Sequence, residues 1–228
     1  MQQWDGLQAA EREKLLRWVA EFSDRKNWEG CQGLQLTEAM KLLIAGNAGL
    51  LVLGWKEPFF FPAVLTVLVH PTSFVAPHRT SLGSGLHLES QTQLEGQAWH
   101  RGPVIISWQD VIEPHRATPH NLVVHEFAHQ LDMLNGGNAD GMPPIPVARE
   151  ERWKRVTQHS MAHLKQLCET GGYSILDCYG CEHPAEFFAV SSEAFFEAPH
   201  DLAIEFPELF EELMAFYESD PRRWVAAI

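Results

Sequence analysis

The sequence predicts an α+β fold in one domain, with a small sheet early and a helix-rich C-terminal half. Three observations carry this. Residues 64–69 and 104–108 are apolar, β-branched runs set off by Pro62 and Pro71 or by Gly102-Pro103, and they read as buried strands. Beyond residue 108, apolar positions recur at helical spacing nearly to the end of the chain. No repeat, low-complexity tract or linker divides the 228 residues, so residues 1–228 are read as a single domain.

Leu7, Leu15, Trp18, Val19 and Phe22 share one helical face with charges between them, which predicts a first helix over 7–22. Thr37 suits the N-cap of a second helix, from Glu38 to about Leu53, which Gly46 and Gly49 interrupt without breaking. The strand at 64–69 follows. From 70 to 102 the chain is rich in Ser, Thr, Gly and Gln, with alternation at Leu86-His87-Leu88, so strands and loops are expected there without sharp limits. After the strand at 104–108, helices are predicted at 119–135, 147–170, 184–197 and 207–219.

Composition narrows the function. With 45% hydrophobic and 21% charged residues, the chain is too apolar to be disordered. Against 30 Asp+Glu stand 17 Lys+Arg, a net charge of −13 that argues against direct nucleic-acid binding and against an anionic membrane surface. The most apolar stretches, 50–55 and 59–69, are far shorter than a membrane span, and Pro62 interrupts the second. Glu11, Arg12, Glu13 and Lys14 break any apolar leader in the first thirty residues. The four cysteines, Cys31, Cys168, Cys178 and Cys181, are too few and too scattered for a secreted disulfide framework. A cytoplasmic setting with reduced thiols is the expectation.

Twelve histidines draw attention to metal chemistry, and five residues concentrate it. His125-Glu126-Phe127-Ala128-His129 is an HExxH motif. On a helix, histidines at i and i+4 project from one face and can reach one zinc ion. Glu126 lies beside that face, where it can take a proton from water held by the metal. Chance alone yields about 0.06 such matches in a chain of this composition, so the motif needs its context. Thr118-Pro119 offers a helix start and Gly136-Gly137 a stop. Val124, Phe127, Ala128 and Leu131 form an apolar stripe roughly opposite the histidines, so the helix has one face to bury and one to carry ligands.

A catalytic zinc needs a third protein ligand. The longer HExxHxxGxxH pattern fails, because Asp132 and Asn135 occupy its Gly and His positions. Asp132 falls on the metal face, either orienting a ligand imidazole or lying as a plain surface charge. His159, His163, Asp177, His183, Glu186 and Glu193 are the further candidates.

His125-Glu126-x-x-His129-x-Leu131-Asp132, with Asn135-Gly136, Asp140-Gly141 and Pro143, resembles the Mlc titration factor A family of zinc metallopeptidases. The catalytic region of that family is similar in turn to that of anthrax lethal factor. Gly96-Gln97-x-Trp99 and Gly102-Pro103-Val104-Ile105-Ile106-x-Trp108 match the strand leading into its zinc helix. Asp177-x-Tyr179, then Pro184-Ala185-Glu186-x-Phe188-Ala189-Val190-x-Ser192-Glu193-x-Phe195-Phe196, match its second catalytic segment. The resemblance implies a zincin-like metallopeptidase domain holding one Zn²⁺ per chain on His125, His129 and Glu186, with Glu126 as general base. It implies that Tyr179 helps to stabilise the transition state. It further implies aminopeptidase-type activity on short peptides, and a possible partner in a transcriptional repressor of the Mlc type.

Two expectations complete the reading. An extended peptide substrate is expected along 104–108, taken as the edge strand. Cys178-Tyr179-Gly180-Cys181 is a CxxC around the candidate tyrosine; its cysteines are two reduced thiols, or else a redox pair or second metal site whose oxidation displaces Tyr179.

Overall fold

The computed structural model describes residues 1–72, 74–81, 87–94, 96–97, 102–113 and 118–226, and between 74 and 97 it describes backbone only. Helix α1 (Ala9–Arg25) starts where the Glu11 carboxylate accepts the Gln8 backbone N–H at 2.8 Å, and it buries Leu15, Trp18, Val19 and Phe22, the face the periodicity marks. Strand β1 (Asn27–Gly30) follows. Helix α2 (Glu38–Leu50) is capped by Thr37, whose hydroxyl accepts from Met40 N at 3.3 Å. It ends three residues before the predicted limit because Val52 and Leu53 bond back to Gly49 and Leu50, tightening the chain into turns. Gly49 is the close approach between α1 and α2: a Cβ there would sit 2.6 Å from Leu15 and 2.8 Å from Trp18.

Strand β2 (Thr66–His70) is followed by an antiparallel pair, β3 (Phe74–Ser81) and β4 (His87–Leu94), within the stretch left undefined by the sequence. Strands β5 (Gly96–Gln97) and β6 (Val104–Ser107) complete a four-stranded sheet in the order β1-β2-β6-β5. The pairs β1–β2 and β2–β6 are parallel, whereas β5 runs antiparallel to β6. The expectation of an edge strand at 104–108 is therefore corrected: β6 is interior, paired on both sides, and β1 and β5 are the edges. Trp108 also leaves the strand, since Ser107 caps the short helix α3 (Trp108–Ile112) through Asp110 N.

Helix α4 (Leu122–Asp132) begins later than predicted. Asn121, not Thr118, is its cap, with its side-chain oxygen accepting from Val124 N at 3.2 Å. Helix α5 (Val147–Thr170) stops at left-handed Gly171. Helix α6 (Pro184–Glu197) has proline in its first turn, and α7 (Pro199–Glu205) and α8 (Pro207–Tyr217) close the chain. Phe127 of α4 meets Phe22 and Phe61 edge-on, at centroid distances of 5.8 and 4.8 Å, in one apolar core that reaches from Leu7 to Trp224. No helix among the described residues is long and apolar enough to cross a membrane.

Candidate metal centre

Helix α4 is buried along its whole length, so its polar side chains must find partners inside the protein. The apolar stripe of Val124, Phe127, Ala128 and Leu131 faces the core, and α6 covers the opposite face. His183 caps α6 by accepting from Ala185 N at 3.2 Å, which places Glu186 in the first turn, directed at α4. Three donor atoms converge there. His125 Nε2 lies 3.2 Å from His129 Nε2, and Glu186 Oε2 lies 3.1 Å from the first and 3.4 Å from the second.

These distances test whether the residues suit a zinc ion. Ligand bonds of about 2.0–2.1 Å in a tetrahedron give ligand–ligand edges of about 3.3–3.4 Å, close to the three separations found. Two neutral imidazoles do not turn their Nε2 lone pairs toward each other without a proton or cation between them. The set of two nitrogens and one carboxylate oxygen fits a borderline-soft divalent ion.

A second carboxylate on α6 fixes the first histidine. Glu193, two helical turns beyond Glu186, accepts from His125 Nδ1 at 2.7 Å, from His120 Nδ1 at 2.8 Å and from Asn121 N at 2.6 Å. With its Nδ1 proton held there, His125 presents the Nε2 lone pair to the centre. Burial opposes charge on His125, but the Glu186 and Glu193 carboxylates override it and hold the imidazole well above its usual pKa. Burial likewise opposes charge on Glu193, yet hydrogen bonds from His120 and His125 bring it down to about 2. Glu186, also pushed up by burial, is carried well below the usual range by His125 and His129.

Glu126 stands beside the three donors and is not among them. Burial, helped by Glu186 and Glu193 and opposed by His125, pushes its carboxyl up to about 8, and Oε2 has no hydrogen-bond partner among the described residues. Tyr179 reaches the site from the 3-10 turn Cys178–Cys181, exposed at its edge, with its ring centroid 6.2 Å from that of His125.

The remaining candidates are elsewhere. Asp132 accepts Gly141 N at 2.8 Å and makes no hydrogen bond to an imidazole among the described residues. His163 packs edge-on against Phe206, His159 is exposed on α5, and His183 serves as the α6 cap. Asp177 caps the tyrosine turn, accepting Tyr179 N at 2.9 Å and the Thr118 hydroxyl at 3.0 Å. The CxxC reading is corrected: Cys178 is disulfide-bonded to Cys168 on α5, while Cys181 and Cys31 are free. The expectation of reduced thiols fails at that pair. The sequence reading also missed His120 and Asn121 as partners of Glu193. The seven-residue spacing of Glu186 and Glu193, which puts both on one helical face, was the available signal.

A helix-borne HExxH opposed by a carboxylate from a second helix defines a class, the metallopeptidases built on that motif. Residues 1–218 match the family model of the glucose-regulated metallo-peptidase M90, and the chain belongs to this family. It is 32% identical over 228 residues to Mlc titration factor A of Yersinia pestis (strain Pestoides F), a match covering 96% of this chain and 83% of the relative. Mlc titration factor A of Yersinia pseudotuberculosis serotype O:1b (strain IP 31758) matches with the same identity and coverage.

Proposed function

We propose that this protein is a cytoplasmic zinc-dependent peptidase, one domain over residues 1–228, that hydrolyses short peptides with an aminopeptidase-like preference. The observation that carries the reading is the convergence of His125 Nε2, His129 Nε2 and Glu186 Oε2 at 3.1–3.4 Å. A zinc ion bound by these atoms would polarise the scissile carbonyl and lower the pKa of a coordinated water towards ~7. Glu126, buried and poised beside the donors, accepts the proton of the attacking water and passes it to the leaving amine. Tyr179 donates its hydroxyl to the oxyanion that develops on the scissile carbonyl. The extended peptide is assigned to the edge strand β5, which among the described residues pairs with β6 alone.

Metal analysis coupled to cleavage of a peptide library tests this. About one zinc per chain is expected, lost on His129→Ala or Glu186→Ala together with hydrolysis. Undiminished zinc in Glu186→Ala would pass the third-ligand role to another carboxylate. A second reading is favoured by the name of the relatives: a binding protein that sequesters a transcriptional repressor of the Mlc type, with the zinc site secondary. Capture of such a repressor by Glu126→Gln, which binds zinc without hydrolysing, separates the two functions.

A further inference from the structure

The turn that carries Tyr179 is held to α5 by a covalent bond. Cys168 near the end of α5 and Cys178 at the start of the turn form a disulfide, with Cα atoms 5.9 Å apart. Cys178 is exposed and Cys168 partly so, which leaves the bond open to an external thiol. Non-covalent contacts hold the turn as well. Gly180 is the single buried residue of the turn, and Asp177 accepts from Gly180 N with its backbone oxygen and from Tyr179 N and the Thr118 hydroxyl with its carboxylate. Cys181 lies three residues beyond Cys178, near Lys165 and Glu169, which flank Cys168 on α5. Burial raises its thiol above the usual range, so it is a poor nucleophile towards the neighbouring bond.

We propose that Cys168–Cys178 is a thiol–disulfide exchange site that sets the position of Tyr179, with a dithiol reductant as its co-reactant. One thiolate of the reductant attacks Cys178 Sγ; the bond to Cys168 breaks, and Cys168 leaves as a thiolate that takes a proton from water. The second thiol of the reductant then displaces Cys178, so the reductant ends as a disulfide and the protein gains two electrons and two protons as two thiols. Freed from α5, the turn no longer holds the tyrosine beside His125, and hydrolysis slows. The inference rests on the role given above to Tyr179, and its test therefore includes a readout that does not need activity.

The zinc-loaded full chain is studied oxidised, after dithiothreitol, and after reoxidation, with zinc content measured each time. Cys168→Ser supplies the open state without reductant. Peptide mapping under non-reducing conditions should recover Cys168 linked to Cys178. Hydrogen exchange at the amides of Tyr179, Gly180 and Glu182 should quicken ~10-fold or more on reduction and in Cys168→Ser. Peptide cleavage should lose ~10-fold in kcat with KM unmoved and recover on reoxidation, while Tyr179→Phe should not respond to reduction. Absence of the linked peptide, or unchanged exchange at the three amides, overturns the proposal. Faster exchange with constant kcat in a chain that cleaves peptides also overturns it and leaves the peptidase reading standing. No cleavage in either state, with zinc bound, sinks the peptidase reading, and the exchange rates still decide whether the disulfide holds the turn.

Discussion

Glu126 and Glu193 show how position separates two glutamates in role. Glu193 is tied down by three donors and stays ionised, whereas burial pushes Glu126 up to about 8, with Oε2 unpartnered among the described residues, which makes it the more basic of the two carboxylates. Glu126→Gln should therefore keep the zinc and the fold but lose ~10²–10⁴-fold in kcat, because an amide accepts no proton. Full activity in that variant, measured on a defined peptide, would refute the assigned base. Glu193→Gln acts differently. It weakens the bond that orients His125, so zinc affinity should drop ~10–100-fold in a competition titration with a chromophoric chelator. Affinity equal to wild type would show that packing alone orients the ring. His129 serves as contrast, for its Nδ1 has no partner among the described residues.

Helix α4 depends on its neighbours at both ends. At its start the Asn121 side chain caps Val124 N and donates to Asn47 at 3.0 Å and to Glu197 at 2.6 Å. At its end buried Asp132 accepts from Gly141, whose carbonyl is held in turn by Trp153 Nε1 at 2.9 Å. Burial pushes the Asp132 carboxyl up to about 6, against the opposing bond from Gly141. A raised acid pKa means the folded state binds more protons than the unfolded one between about pH 4 and 6, so this group's contribution falls as pH rises through that window. Asp132→Asn removes the titration. In metal-free protein, urea unfolding should show the variant gaining on wild type by up to about 3 kcal/mol from pH 4 to pH 7. A constant gap would mean that Asp132 titrates alike in the folded and unfolded chain. The same helix shows what was legible. Its motif and apolar stripe were visible at once, and so were helices α5 and α6, whose bounds, 147–170 and 184–197, coincide with the prediction. The cap was not, because Thr118-Pro119 imitates a helix start while the true one depends on Asn121 meeting residues 74 and 76 positions away. Strand β1 and helices α3 and α7 are short segments stabilised by pairing and packing, and no local periodicity announces them. Glu186 stood out among six candidates through family resemblance alone, since a first-turn glutamate is favoured in any helix.

Across the whole molecule, the centre joins two helices whose ligands are 61 residues apart, His125 on α4 and Glu186 on α6. Binding an ion there couples metal affinity to global stability, because the unfolded chain holds no such arrangement of donors. The charge of the chain works in the same direction: at −13, with Glu126, Glu186 and Glu193 packed around the histidines, the protein attracts divalent cations and repels itself without them. Zinc at one hundred times its dissociation constant should stabilise the fold by about 2.7 kcal/mol. For a chain of this size that is a rise in Tm of about 5–10 °C over chelator-treated protein. The sign of the pH dependence follows from the ligands. Only unprotonated imidazole binds metal, and the carboxylates that raise the His125 pKa favour its protonated form, so acid must displace zinc. The gap in Tm between zinc-loaded and chelated protein should therefore narrow steadily from pH 8 to pH 5. Glu186→Ala should show little gap at any pH, because two imidazoles hold the ion too weakly to stabilise the fold. Calorimetric scans with and without chelator decide the matter. A gap that persists undiminished at pH 5, or one as large in Glu186→Ala as in wild type, would place the stabilising ion somewhere other than between α4 and α6.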